Sequence, residues 1–155
     1  MKFIFLFLGK TREQYLARAI DDYAARLRRY VPVEIQTYKE KHTKNDTDQV
    51  IMQKEAAILL DHCAPSAYTV ALDPGGVEYT SEGLAEIVKK WEHGGRRSIH
   101  FLIGGYLGLD NSISQRADET WSLSRLTFTH EMTRFILMEQ LYRACSIKAG
   151  HNYHK

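Results

Sequence analysis

The chain has 155 residues, of which 44% are hydrophobic and 26% charged, and its formal net charge is +2. That profile is of a globular protein large enough to build one core without staples, and it excludes a molecule whose overall field alone would attract nucleic acid. No apolar run approaches the ~20 residues of a membrane span, and Cys63 and Cys145, in no CxxC spacing, read as reduced, packed thiols rather than as a metal site or disulfide frame.

The opening run Phe3-Ile4-Phe5-Leu6-Phe7-Leu8 is too short for a signal core, and Gly9-Lys10 follows without a small-residue cleavage site. Lys2 to Leu8 is therefore predicted as a central strand covered on both faces. Tyr15, Leu16, Ala19, Ile20, Tyr23, Ala24 and Leu27 fall at helical spacing within a helix predicted over 12–30. Val33 to Tyr38 alternates as a strand. Residues 39–48 are polar and charged and read as a solvated loop, in which Lys39, Lys41, His42 and Lys44 are offset by Glu40, Asp46 and Asp48. A second helix is expected over 48–62.

Tyr68 to Leu72 reads as a short buried strand stopped by the turn signal Asp73-Pro74-Gly75-Gly76. Leu84, Ile87, Val88 and Trp91 mark a third helix closed by Gly94-Gly95. Ser98 to Ile103 is a strand running into Gly104-Gly105-Tyr106-Leu107-Gly108. A short helix over 112–117 leads to the segment Trp121 to Phe128, and a final helix runs from His130 to Lys148, followed by a tail over 149–155. Strands alternating with helices predict a single α/β domain over 1–155 with a mainly parallel sheet, and a cytoplasmic location is expected.

Apolar residues cover nearly the whole circumference of the last helix: Met132, Phe135, Ile136, Leu137, Met138, Leu141, Tyr142, Cys145 and Ile147. One sheet buries one stripe, so a second surface must cover the rest, and a subunit interface is favoured over a helix enclosed in its own domain. Arg134, Glu139 and Arg143 are the charges in the interior of this otherwise apolar helix. Glu139 and Arg143 stand four apart, the spacing of an intrahelical ion pair. Arg143 is also a candidate to meet a phosphate or a substrate carbonyl where subunits join.

In open α/β sheets ligands bind beyond the carboxyl ends of the strands. Asp73 to Gly76, Gly104 to Gly108 and Leu123 to Phe128 are the loops placed there. The paired glycines permit close backbone approach, which suits a cofactor edge as well as a plain tight turn. Neither a dinucleotide fingerprint nor a Walker sequence is present. The tail carries Lys148, His151, Tyr153, His154 and Lys155, an aromatic and basic set able to stack on a base and contact phosphate. Two tail histidines make a poor metal site, and no metal is expected. Triad, paired-carboxylate and zinc spacings give hydrolase readings no support.

Taken in order, the opening strand, Leu72-Asp73, Ile103-Gly104-Gly105 with Gly108-Leu109, Trp121-Ser122-Leu123-Ser124, Leu126-Thr127, Leu141-Tyr142-Arg143-Ala144 and Tyr153-His154 form a full-length pattern. It resembles the large-subunit ribosomal RNA pseudouridine N3-methyltransferases, the RlmH family of the SPOUT superfamily. The resemblance implies an α/β trefoil knot, which general rules on chain threading would not suggest, and a homodimer. It implies S-adenosyl-L-methionine as cofactor, held by Leu72, Gly104, Leu123, Ser124, Arg125, Leu126, Thr127 and Phe128. The implied substrate is a pseudouridine of 23S ribosomal RNA on the assembled 70S ribosome. Tyr153 and His154 of one subunit would complete a site whose cofactor lies in the other. Catalytic roles are then expected for His154, Tyr153, Arg143 and Glu139, with Arg143 stabilising charge on the base and either His154 or Glu139 accepting the proton. Thr129 stands where the family pattern has proline, a change expected to loosen the start of the last helix. The competing readings are a methyltransferase of the same fold acting on another RNA such as tRNA, and a non-catalytic ribosome-binding module.

Overall fold

Phe3, Phe5 and Phe7 pack into one core cluster and Ile4, Leu6 and Leu8 into another, on opposite sides of the strand β1 (Lys2–Leu8). A continuous apolar run of this kind suits only a strand covered on both faces. The computed structural model describes residues 1–151 and Tyr153, and it places β1 in the interior of a five-stranded sheet, between β2 and β4. The elements follow as α1 (Gln14–Leu27), β2 (Val33–Tyr38), α2 (Asp48–Asp61), β3 (Tyr68–Glu78), α3 (Ser81–His93), β4 (Ser98–Ile103), α4 (Asn111–Arg116), β5 (Glu119–Ser122) and α5 (His130–Lys148). The strand order is β2-β1-β4-β3-β5, and every strand pairing is parallel.

One face of the sheet carries α1, α3 and α5. Ile20, Ala24 and Leu27 of α1, Leu84, Ala85, Val88 and Trp91 of α3, and Leu137, Met138, Leu141 and Ala144 of α5 close over the Phe3–Phe5–Phe7 side. The rings of Trp91 and Trp121 stack there with centroids 5.4 Å apart. On the other face Ala56, Ile58 and Leu59 of α2 and Ile113 of α4 cover Ile4, Leu6 and Leu8. Among the described residues no helix is long and apolar enough to cross a membrane. Both cysteines are free, and burial pushes the Cys63 thiol up to about 11 and that of Cys145 up to about 12, which keeps them inert as nucleophiles near neutrality.

Three local expectations need correction. The first helix is shorter at both ends than 12–30. The backbone N–H groups of Arg12 and Glu13 donate to the Glu131 carboxylate at 2.9 and 3.1 Å, so the helix starts only at Gln14. The Asp73–Gly76 sequence does not end its strand. Leu72 and Val77 both face Trp121, so residues 73–76 bulge outward and pairing resumes to Glu78. Finally, Glu119–Ser122 is a fifth strand at the sheet edge beside β3, a segment too short to show a period.

The last helix ends in a Schellman arrangement that steers the tail. Gly150, at φ +74°, donates to Ile147, and His151 reaches back to Ser146. A left-handed residue is needed at this turn, and glycine adopts it without strain.

Candidate active site

The carboxyl ends of β3, β4 and β5 open onto a cleft of about 730 Å³. Because all strands are parallel, the loops after them gather at one edge, where this class of sheet binds ligands. Leu72, Gly104, Leu123, Ser124, Leu126, Thr127 and Phe128 all line it, so seven of the eight expected cofactor residues meet in one place. Arg125 does not: its side chain is 92% exposed and lies 3.9 Å from Glu78. The 123–128 segment is shaped by its own bonds, since the Ser122 hydroxyl donates to the Ser124 carbonyl and the Leu126 N–H donates to the Ser124 hydroxyl, both at 3.0 Å. Leu126 and Phe128 remain exposed at the rim, as does Tyr106 across the cleft.

The opposite wall is the Gly104–Gly108 turn. A Cβ on Gly104 would stand 2.5 Å from the carbonyl oxygen of Gly108, so only glycine allows the turn to close this tightly. Behind it, the buried Glu55 accepts the Gly105 N–H at 3.3 Å. Burial raises the Glu55 carboxyl above the ordinary range, the Gly105 bond opposes that rise, and the nearby charge of Glu40 adds to it. The loop of residues 39–47 is therefore not simply a solvated arm. Glu40 and His42 are half-buried, and Asp46 bonds Lys54 at 2.7 Å.

Sequence reasoning missed His130 and Thr133, which line the cleft from the first turn of α5. Burial, followed by the charge of Arg134, holds the His130 imidazole below its ordinary value, so it is neutral near pH 7. Thr129 does not loosen this helix start. Its hydroxyl accepts the Met132 N–H at 3.2 Å and serves as the N-cap, a contribution of about 1 kcal/mol that proline could not make. Arg134 is fully buried and is a structural group. It donates to Thr11 Oγ1 at 3.0 Å and to the Leu8 carbonyl, and lies 4.6 Å over the Phe7 ring.

Three of the four expected catalytic residues form a second cluster farther along α5. Arg143 Nη2 donates to Glu139 Oε1 at 2.5 Å, so the intrahelical pair exists. It is also more than a pair. The Tyr153 hydroxyl donates to the same carboxylate oxygen at 3.2 Å and lies 2.7 Å from the Tyr23 hydroxyl, while its ring sits 5.0 Å beneath the guanidinium. Arg143 is held charged chiefly by its bond to Glu139. Burial first, then Tyr23 and Glu139, pushes the Tyr153 phenol far up, so it is a donor near neutrality and not a base. Arg143 Nε is buried without a hydrogen-bond partner among the described residues. His154 lies outside the described residues. His151 bonds the Tyr30 hydroxyl at 2.7 Å.

The two clusters do not meet within one chain. Glu139, Arg143 and Tyr153 are absent from the cleft lining. Thr133 is in it, and ten residues of helix separate Thr133 from Arg143, about 15 Å along the axis at 1.5 Å per residue. Met132, beside the cleft residue Thr133, and Ile136, between the clusters, are only partly buried, and they fall on one stripe with Glu139 and Arg143.

A cleft at the strand ends beside a glycine turn, with a separate Arg–Glu–Tyr cluster, defines a class rather than a single enzyme. The profile of the family described as "Predicted SPOUT methyltransferase" matches residues 1–154, and the chain belongs to that family. Among curated proteins, the ribosomal RNA large subunit methyltransferase H of Desulfotalea psychrophila is 45% identical over 155 residues, covering 100% of both chains. The protein of the same name from Clostridium novyi is 38% identical over 159 residues, again with 100% of each chain covered. That of Geobacter metallireducens is 41% identical over 154 residues, or 99% of each.

Proposed function

We propose that this protein transfers the methyl group of S-adenosyl-L-methionine to N3 of a pseudouridine in 23S ribosomal RNA of the assembled ribosome, as a cytoplasmic homodimer with the family's knotted fold. The observation that carries this reading is the cleft itself, where residues from three strand ends and the Leu123–Phe128 run converge in a member of a methyltransferase family. Its volume is that of a small-molecule cofactor site. Its apolar side chains Leu72, Leu123, Leu126 and Phe128 suit an adenosine moiety, and the glycine turn lets a ligand approach backbone amides that no Cβ shields. The substrate assignment rests on relatives that carry the ribosomal RNA large subunit methyltransferase name along their whole length.

The cofactor supplies an electrophilic methyl group when bound, so the chain's own task is alignment and proton management. Thr127, Phe128 and the Gly104 turn hold the cofactor. Arg143, kept charged by Glu139, stabilises negative charge developing on the pyrimidine carbonyls as the N3 proton leaves. Tyr153 donates rather than accepts, which leaves Glu139 or His154 to take the proton. The ~15 Å of helix between cleft and Arg143 favours a site assembled from two subunits, with the Arg143 cluster of one facing the cleft of the other. The partly buried Met132–Ile136 stripe is the surface available for that contact.

The test is methyl transfer from labelled S-adenosylmethionine to intact ribosomes, separated subunits, bulk tRNA and naked ribosomal RNA. Label mapping to a pseudouridine of the large-subunit RNA is the expected result. Label in tRNA alone would keep the chemistry and overturn the substrate. Absence of transfer together with absence of cofactor binding would overturn the enzyme reading.

A further inference from the structure

Behind the glycine turn, three metal-ligating side chains converge, and beyond the Gly105 N–H that Glu55 accepts, no hydrogen bond among them explains it. Glu40 and His42 come from the loop after β2, and Glu55 from the middle of α2. One donor atom from each lies within 4.8 Å of the other two. His42 Nε2 and Glu40 Oε2 are 3.7 Å apart, too far for a hydrogen bond. Glu55 is only 2% exposed, and its Oε1 has no partner among the described residues; the same is true of His42 Nε2. A buried carboxylate oxygen left unpaired beside a second carboxylate is costly on both counts, desolvation and like-charge repulsion.

We propose that Glu40, His42 and Glu55 form a binding site for a single divalent transition-metal ion of the zinc class. One imidazole and two carboxylates are a nitrogen–oxygen set suited to Zn²⁺ and its neighbours rather than to Mg²⁺ or Ca²⁺, which favour all-oxygen shells. Tetrahedral zinc ligands stand roughly 3.3 Å from one another, so the site closes with small side-chain movements. Three protein donors leave the fourth position to water. The ion satisfies both orphaned atoms and neutralises the carboxylate pair in one step. The site departs from the expectation of no metal, because its residues lie 15 positions apart in sequence and match no ligand spacing.

The position gives the ion a structural consequence. The second Glu55 oxygen accepts the Gly105 N–H, so a bound ion ties the loop of residues 39–47 to the wall of the cleft. Glu40 also lies against Gly9 at the end of β1, where a Cβ would stand 3.1 Å from its Oε1. The loop, the end of β1 and the glycine turn would then share one anchor. None of this depends on the substrate proposed above.

The test uses the full-length protein stripped with a chelator and titrated with Zn²⁺ against a chromophoric competitor, with Co²⁺ as a spectroscopic probe. One equivalent of Zn²⁺ is expected to bind, and Co²⁺ is expected to give the visible absorption of a four-coordinate site. Glu55→Gln keeps an amide oxygen for the Gly105 N–H, and His42→Ala alters a half-exposed loop, so both variants retain the fold. Each is expected to weaken Zn²⁺ binding by at least about tenfold, since perturbing even outer-shell partners costs that much. Three results would overturn the proposal: no Zn²⁺ bound by the wild type, binding that survives both substitutions and so belongs to other histidines, or binding sensitive to only one of them.

Discussion

Arg134 Nη2 donates to the carbonyl oxygen of Leu8 at 2.5 Å, joining the first turns of the last helix to the end of the first strand. The same guanidinium reaches Thr11, and burial lowers its pKa to about 10, against the charges of Glu131 and Glu40, which raise it. It is still charged at neutral pH. Arg134→Ala removes a buried cation, opens a cavity and leaves the Leu8 carbonyl unpaired. A loss of about 3 kcal/mol in urea unfolding is expected. A loss under about 1 kcal/mol would mean that the cost of burying the charge offsets its bonds.

Acid should destabilise this protein over two pH ranges. His100 is buried and its pKa is lowered, mainly by desolvation. The unfolded chain therefore binds a proton near 6.5 that the folded chain refuses, and stability falls as pH drops below that value toward the folded pKa. Glu131 is also lowered. Burial alone would raise it, but the Arg12 and Glu13 amides outweigh that, with His130 and Arg134 adding to them. Its contribution is present above the unfolded value near 4.5 and disappears as pH falls through the folded one. Unfolding midpoints of His100→Leu should be flatter just below the ordinary histidine value of 6.5, whereas Glu131→Gln should flatten only the more acid limb. An unchanged profile in both variants would assign acid sensitivity elsewhere.

What could be read in the sequence follows from how strongly each segment is constrained by its immediate neighbours. β1, with no polar position between Phe3 and Leu8, admits only burial on both faces, and α5 runs from His130 to Lys148 as its apolar residues require. The cleft loops were legible because glycines and strand ends mark them. β5 was not, because four residues carry no period, and the 73–76 bulge imitates a turn locally while its pairing with Trp121 is set by a distant strand. Glu55 looked like any polar residue on a helix. Only the folded chain brings it beneath Gly105, fifty positions away. Likewise, His130 carried no signal beyond its place at a helix start.

Gly104→Ala should damage cofactor binding more than folding. The added methyl meets the Gly108 carbonyl at 2.5 Å, and the turn must open to relieve it. The turn follows the carboxyl end of β4, and the added methyl also nears Leu109, so the strain falls on the cleft wall that these residues line. Calorimetric affinity for S-adenosylmethionine is expected to fall by at least about tenfold, equivalent to 1.4 kcal/mol, with a melting temperature shift of only a few degrees. Unchanged affinity would remove this turn from the cofactor site.

The proposed sharing of the site between two subunits predicts a behaviour that a site within one chain would not show. Gly104→Ala disables the cleft, and Arg143→Ala removes the guanidinium paired with Glu139. With cofactor held well below the weakened Kd, each homodimer alone should be nearly inactive, the second with cofactor affinity intact. Mixed, unfolded together and refolded, they form heterodimers in which one composite site has both a sound cleft and a sound Arg143. Methyl transfer should return to roughly a quarter of the wild-type level, since half the dimers are mixed and each has one working site of two. A site contained within one chain would show no recovery. Ile136→Arg, on the stripe between the two clusters, should yield monomers by sedimentation that still bind cofactor but transfer no methyl group. A dimer that survives this charge would place the interface on another face, and the complementation result would then decide whether the site is shared at all.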